Sequence, residues 1–166
     1  MSYLNEISAL NIPIIGIEPS VTLSYQDDYK AVLDPSEIQF EVLSIQDYLL
    51  SIVDDLKLHI SGSRKNYTLL SHCTERTQSK HTINSWQKLF QLLSIKLTIA
   101  QVGCCGMAGI YGHQTENFKD SKRLYKSTWE GIVNTLDQKE LLVTGFSCKK
   151  QIQRFSKLDL FHPVDV

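Results

Sequence analysis

The sequence lacks a dominant charge, a long apolar run and any close pair of cysteines of the C-x-x-C kind, and each absence removes a class of protein. Seventeen Lys and Arg against 18 Asp and Glu leave a formal charge of −1. Nucleic acid is therefore not expected as a partner, because it requires a basic footprint. The longest apolar stretches, such as Ile12 to Ile17 and Leu141 to Val143, fall far short of the ~20 residues of a spanning helix, so no transmembrane segment is expected. Met1-Ser2-Tyr3-Leu4-Asn5-Glu6 has no basic region leading into an apolar core and a cleavage site, so it does not read as a secretory signal. The expectation is a cytoplasmic, reducing environment, where four cysteines are ligands, catalysts or core thiols rather than a disulfide framework. Without C-x-x-C pairs the generic zinc-ribbon pattern is also absent. Eight Gly and four Pro exclude collagen-like and linker sequence, while 42% hydrophobic and 21% charged residues fit a globular protein. No repeat or low-complexity segment is present.

What the sequence does have is alternation. Short β-branched runs at about Pro13 to Glu18, Phe40 to Leu43, Tyr67 to His72, Lys96 to Val102 and Leu141 to Gly145 read as strands. Helical stretches fall at about Thr22 to Leu33, Ile45 to Leu58, Thr82 to Leu93, Glu116 to Leu136 and Lys149 to Phe155. Leu49, Ile52, Val53 and Leu56 share one stripe, and Trp86, Leu89, Phe90 and Leu93 another. The fold class this predicts is α/β: a single domain with a parallel sheet of about four to five strands and helices on both faces. Lys57 to Asn66 reads as a polar surface connection. Tyr3 to Leu10 looks helical and precedes the first strand, so the βαβ pattern opens without a strand to feed it. We therefore expect residues 1–166 to be the C-terminal piece of a longer polypeptide, the other reading being a free-standing domain with an extra helix.

Gly103-Cys104-Cys105-Gly106-Met107-Ala108-Gly109-Ile110-Tyr111-Gly112 holds four of the eight glycines and two of the four cysteines. Glycine at every third position permits positive φ and close approach of backbone to a bulky group. No P-loop Lys-Ser/Thr follows, and the segment is not G-x-G-x-x-G. In open parallel sheets ligands bind at the carboxyl ends of strands. Glu18, Cys73, the Cys104/Cys105 pair and Cys148 each follow a predicted strand, so three thiol loops and one carboxylate loop should meet on one edge. Four sulfurs with His72 and His113 are a ligand set for zinc or an iron–sulfur cluster. The separations of 31 positions from Cys73 to Cys104 and 43 from Cys105 to Cys148 are compatible with either.

These residues carry a resemblance. Cys73, the distant Cys104-Cys105-Gly106 and the later Cys148 resemble the cysteine-rich CCG domains of heterodisulfide reductases and of the iron–sulfur component of glycolate oxidases. Gly16-Ile-Glu18-Pro-Ser20, His72-Cys-Thr-Glu-Arg-Thr77, Gly103-Cys-Cys-Gly-Met-Ala-Gly109 with Tyr111-Gly-His113, Gly145-Phe-Ser-Cys148 and His162-Pro163 are more similar still to the C-terminal region of bacterial FAD-linked oxidases of the D-2-hydroxyglutarate dehydrogenase type. The resemblance implies a domain following a flavin domain and a ferredoxin-like domain in one polypeptide that oxidises a small 2-hydroxy acid. It implies a 4Fe-4S cluster or zinc held by Cys73, Cys104, Cys105, Cys148 and His72, with His113 and Glu18 as weaker candidates and Gly103, Gly106 and Gly109 lining the cofactor. FAD would belong to the parent enzyme and not to this chain, which alone should not oxidise substrate. The pattern departs in two places: the last C-x-x-C is Cys148-Lys-Lys-Gln151, and the Cys that often follows Glu-Pro-Ser is Val21.

Each residue also has a plainer reading. The cysteine pair can be buried core thiols, His72 the cap of the following helix, His113 a solvated loop residue, and Glu-Pro-Ser a helix start with Ser20 as N-cap. Lys149, Lys150 and Arg154 read as a solvated basic face, His59 and His81 as surface, and Trp86, Trp129, Tyr125 and Phe90 as core. At the level of function, the alternatives to a redox cluster are a structural zinc module of the same flavoprotein and a metal-free thiol pair performing disulfide exchange.

Overall fold

A computed structural model describes residues 2–56 and 66–166. His59 and nearly all of the connection read at Lys57–Asn66 lie outside the described residues. The chain opens with helix α1 (Ser2–Ala9) and then alternates strand and helix: β1 (Ile14–Gly16), a helical stretch formed by α2 (Pro19–Leu23), a π turn and α3 (Tyr29–Val32), β2 (Val42–Ser44) and α4 (Ile45–Ser51). After the undescribed segment come β3 (Asn66–Leu70), α5 (Cys73–Gln78), α6 (Lys80–Leu92), β4 (Lys96–Ile99), α7 (Phe118–Thr128), α8 (Glu130–Thr135), β5 (Leu141–Val143) and α9 (Phe146–Ser156).

The α/β class and the parallel direction match expectation, and all five strands read from the sequence are present. They do not form one sheet. Among the described residues β1 and β2 pair in one parallel sheet, and β4, β3 and β5 pair in that order in another. Strand length does not set the division, since β5 has three residues like β1 and β2; side chains rather than a ladder bridge the two sheets, through Glu18 to the Phe146 N–H and Gln46 to Glu75.

The larger sheet is covered on both faces, as alternating side chains require. Leu70, Leu141 and Val143 face a core with Val102, Tyr125, Trp129, Val133, Ile152 and Leu160. Leu69 and Leu142 face the other, with Tyr67, Trp86, Leu89 and Phe90. The helix read at Glu116 to Leu136 is two helices that meet at Trp129, whose buried indole N–H donates to the Gly103 carbonyl at 3.0 Å. No helix among the described residues is long and apolar enough to cross a membrane.

The two sheets are joined at their carboxyl edges. Glu18, after β1, accepts from the Phe146 N–H after β5 at 2.6 Å. Gln46, after β2, donates to Glu75, after β3, at 3.4 Å. Leu142, on β5, is fully buried in the core face shared with Trp86 and Phe90. Truncating it in Leu142→Ala should destabilise the chain by about 2–5 kcal/mol, whereas Val32→Ala, at a residue 78% exposed, should change stability by less than ~0.5 kcal/mol. Urea titrations of both variants check this, and equal shifts would contradict the layer assignment.

Candidate functional site

Three loops bring the cysteines to the carboxyl edge of the larger sheet. Cys73 opens α5 directly after the β3 loop. Cys104 and Cys105 lie in the loop after β4, and Cys148 sits in the first turn of α9, after β5. Cys105 and Cys148 are buried, while Cys73 and Cys104 are part-exposed, and all four are free thiols. The sulfurs form a chain of contacts from Cys73 to Cys104, Cys104 to Cys105, and Cys105 to Cys148.

Cys104 is the acceptor at the centre of that chain. Hydrogen bonds from Cys105 and then Cys73 hold it far below the ordinary thiol range, with help from the Gly106 N–H at 3.3 Å. Cys73 and Cys105 are pushed above the ordinary range, because each donates its proton to the Cys104 sulfur and each is desolvated. The edge therefore offers one thiolate and two thiols as its donors, the form in which sulfur attacks or binds metal being the thiolate. Among the described residues, no group of three or more His, Cys, Asp or Glu side chains stands in a geometry that holds a metal ion.

His72 caps α5, as its plainer reading has it. Its Nδ1 accepts from the Thr74 N–H at 3.2 Å, and Glu75 closes the capping box by accepting from the His72 N–H at 3.1 Å. With Nδ1 accepting, the proton belongs on Nε2, which lies 3.5 Å from the Ser147 hydroxyl. Burial lowers the His72 pKa, against the opposing charges of Glu18 and Cys104, so its ring is neutral.

Glu18 anchors a backbone amide. Besides the Phe146 N–H it accepts from the Ser20 hydroxyl at 2.9 Å, placing negative charge at the N-terminus of α9, where the helix dipole favours it. Ser20 is not the N-cap; that position is Glu18 itself, with Pro19 opening α2. His113 lies exposed in a 3₁₀ turn at Tyr111–His113. Two cavities flank the Glu18–Phe146 bond. One of about 420 Å³ is lined by Ile17, Val143, Thr144, Lys149 and His162, and one of about 280 Å³ by Met107, Gly109, His113, Ser147 and Lys150.

The glycines divide into two roles. Gly106 has φ +87°, and a Cβ there would lie 2.4 Å from the Ser121 carbonyl oxygen, so it lets the cysteine loop press onto α7. A Cβ on Gly112 would lie 2.8 Å from the Ser121 hydroxyl. Gly103 uses its N–H on the Thr128 hydroxyl at 2.8 Å, so that N–H is engaged with the protein. Gly109, at φ +63° with open space around its Cβ position, borders the smaller cavity.

Three residues to which the sequence assigned no role of their own shape the edge. Gln151, fully buried on α9, donates to the Cys105 carbonyl at 2.9 Å and to the Ser121 hydroxyl at 2.7 Å. A Cβ on Gly145 would lie 2.5 Å from the His72 ring and 3.1 Å from the Cys148 sulfur, so only glycine lets these two approach. Glu75 is 2% exposed and accepts from the His72 N–H, the Thr144 hydroxyl and Gln46. His72-x-x-Glu75 has the spacing of a capping box, which was the available signal.

With that geometry in place, the similarity to known proteins has a location. The chain is 34% identical over 169 residues to a D-2-hydroxyglutarate dehydrogenase of Haemophilus influenzae and 33% identical over 162 residues to that of Escherichia coli. Each match covers 98% of this chain and 16% of the relative, so the chain spans about a sixth of the length of these relatives. It is also 24% identical over 164 residues to one component of the anaerobic glycerol-3-phosphate dehydrogenase of Escherichia coli, covering 95% of this chain and 40% of that protein. No family model and no solved structure matches. The fold and site thus define a parallel α/β unit with a cysteine-lined edge, whose homologues are regions of larger dehydrogenases.

Glu75 makes the edge pH-sensitive. Burial raises its pKa from 4.5 to about 7, against the hydrogen bonds from Thr144 and His72. In metal-free protein the folded chain thus retains a proton between those values that the unfolded chain has lost. Stability should fall as pH rises from about 4.5 to about 7 and level off above, by up to about 3 kcal/mol. Glu75→Gln should flatten that slope in urea titrations at successive pH values, and an unchanged slope would contradict the assignment.

Proposed function

We propose that this chain is the cysteine-rich domain of a larger FAD-linked 2-hydroxy-acid dehydrogenase, and that Cys73, Cys104, Cys105 and Cys148 hold an iron–sulfur cluster or metal ion there. In this reading the flavin and ferredoxin-like domains belong to the same polypeptide, and the chain binds no FAD itself. The domain relays electrons or completes the site for the 2-hydroxy acid. The observation that carries the proposal is the convergence of four thiols from three loops on one sheet edge, in a chain that aligns along 98% of its length with dehydrogenases. The broader assignment to an oxidoreductase rests on both groups of relatives, one named a D-2-hydroxyglutarate dehydrogenase and the other a component of a glycerol-3-phosphate dehydrogenase.

The donor set suits a thiophilic group, since zinc and iron–sulfur clusters take thiolate ligands. A bound cluster would supply one-electron transfer at a potential set by hydrogen bonds to sulfur and by burial. This chain's own contributions are the Gly106 N–H on the Cys104 sulfur, the burial of Cys105 and Cys148, and Gln151 fixing the Cys105 peptide. His72 in this tautomer has no free ring lone pair, since Nδ1 accepts from Thr74 and Nε2 carries the proton, and Glu18 is already engaged with Phe146.

A second reading is favoured by the thiolate character of Cys104 beside Cys73: a metal-free dithiol performing disulfide exchange, in which a thiolate attacks a partner disulfide. Iron, zinc and acid-labile sulfide assays on protein purified without oxygen separate the two. Metal content should fall in Cys104→Ser and in Cys105→Ser while helix content by circular dichroism persists. Metal content unchanged in both variants would overturn the ligand assignment, and a metal-free wild type with full thiol exchange would favour the second reading.

A further inference from the structure

Helices α7 and α9 carry seven lysines and arginines and a single acid, Asp120, in a chain whose overall charge is −1. The two helices pack together: the Tyr125 ring lies 5.3 Å from that of Phe155, and Gln151 reaches Ser121. Arg123, Lys126 and Lys149 have carboxylate partners in Asp120, Glu130 and Asp159. Lys119, Lys122, Lys150 and Arg154 have none among the described residues.

Three of these four lie against aromatic rings, with Arg154 also donating to the Gly112 carbonyl and Lys150 to the Gln153 side chain. Lys150 Nζ lies 5.4 Å from the Phe146 ring centre, Arg154 lies 4.8 Å from that of Phe118, and Lys122 reaches both Phe118 and Phe155 at about 6 Å. The strip begins at the thiol edge itself. Phe146, 64% exposed, opens the helix that carries Cys148, and Lys150 borders the cavity shared with Gly109 and Ser147. Ile110, 75% exposed, adds an apolar residue from the glycine loop.

We infer that the α7–α9 face docks the acidic surface of a redox protein and seats it against the thiol edge, an inference that rests on the electron-relay reading. A cationic strip steers an anionic partner and sets its register, and exposed Phe146 and Ile110 supply the apolar contact that holds it. The rest of the chain has an excess of acids. A long polyanion such as duplex nucleic acid, running past the strip, would be repelled there, while a compact acidic protein need touch only the strip.

Calorimetric titration of the chain with plant-type ferredoxin, an acidic redox protein, tests this, with cytochrome c as a basic redox protein and a short DNA duplex as controls. Ferredoxin should bind saturably and weaken by at least about tenfold between ~0.05 M and ~0.5 M salt. The triple variant Lys119→Glu, Lys122→Glu, Lys150→Glu should lose at least about tenfold in affinity with unchanged circular dichroism and metal content. If reversal unfolds the chain, Lys122→Ala with Lys150→Ala should weaken binding in the same direction. No saturable ferredoxin binding, equal affinity in the variants, or preference for cytochrome c or DNA would each overturn the docking inference. Salt-sensitive ferredoxin binding by a wild type without metal would uphold docking and overturn the cluster reading beneath it.

Discussion

A single buried carboxyl group holds the functional edge together. Glu75 receives the His72 N–H from the β3 loop, the Thr144 hydroxyl from the β5 loop and the Gln46 amide from the smaller sheet. Two cysteines depend on those loops, Cys73 next to His72 and Cys148 four residues after Thr144. A carboxyl group 2% exposed is costly unless its hydrogen bonds are made, and here three separate segments make them. The cost of leaving any one unmade gives the edge a defined shape where strands only three residues long could not.

Glu18 is the second tie between the sheets, and it acts on charge rather than on burial. Its carboxylate at the start of α9 fixes the helix whose first turn carries Cys148. Gln151, a little under one turn beyond Cys148 on the same helix, reaches back to the Cys105 peptide. Sulfur chemistry at this edge is thus set by a rigid scaffold: the thiolate on Cys104 arises from neighbours that the loops deliver, Cys105 and Cys73 as donors and Gly106 as a backbone N–H.

Much of this was legible in the sequence. The strand–helix alternation pointed to five strands and their parallel direction, and placing each cysteine after a strand was enough to bring the four together. The division into two sheets was not legible, because pairing partners depend on tertiary placement and β1 and β2 carry too few residues to signal it. Helix α5 has no apolar stripe in Cys73-Thr-Glu-Arg-Thr-Gln78, and its one sequence signal is the local capping box of His72 and Glu75 that starts it. The sequence suggests that Gly103, Gly106 and Gly109 line a cofactor; the structure adds that Gly106 and Gly112 are required by close packing on Ser121 of α7, a constraint invisible without knowing what the loop lies against. The basic residues of α9 gained meaning only when α7 was found beside them.

The central claim is that the sulfurs of Cys73, Cys104, Cys105 and Cys148 form one metal-binding centre. X-ray absorption at the metal edge, on protein purified without oxygen, tests it most directly. The account predicts a first shell dominated by sulfur at about 2.3 Å that loses sulfur in the Cys104→Ser variant. A first shell of nitrogen and oxygen alone, or one unaltered by that substitution, would contradict it.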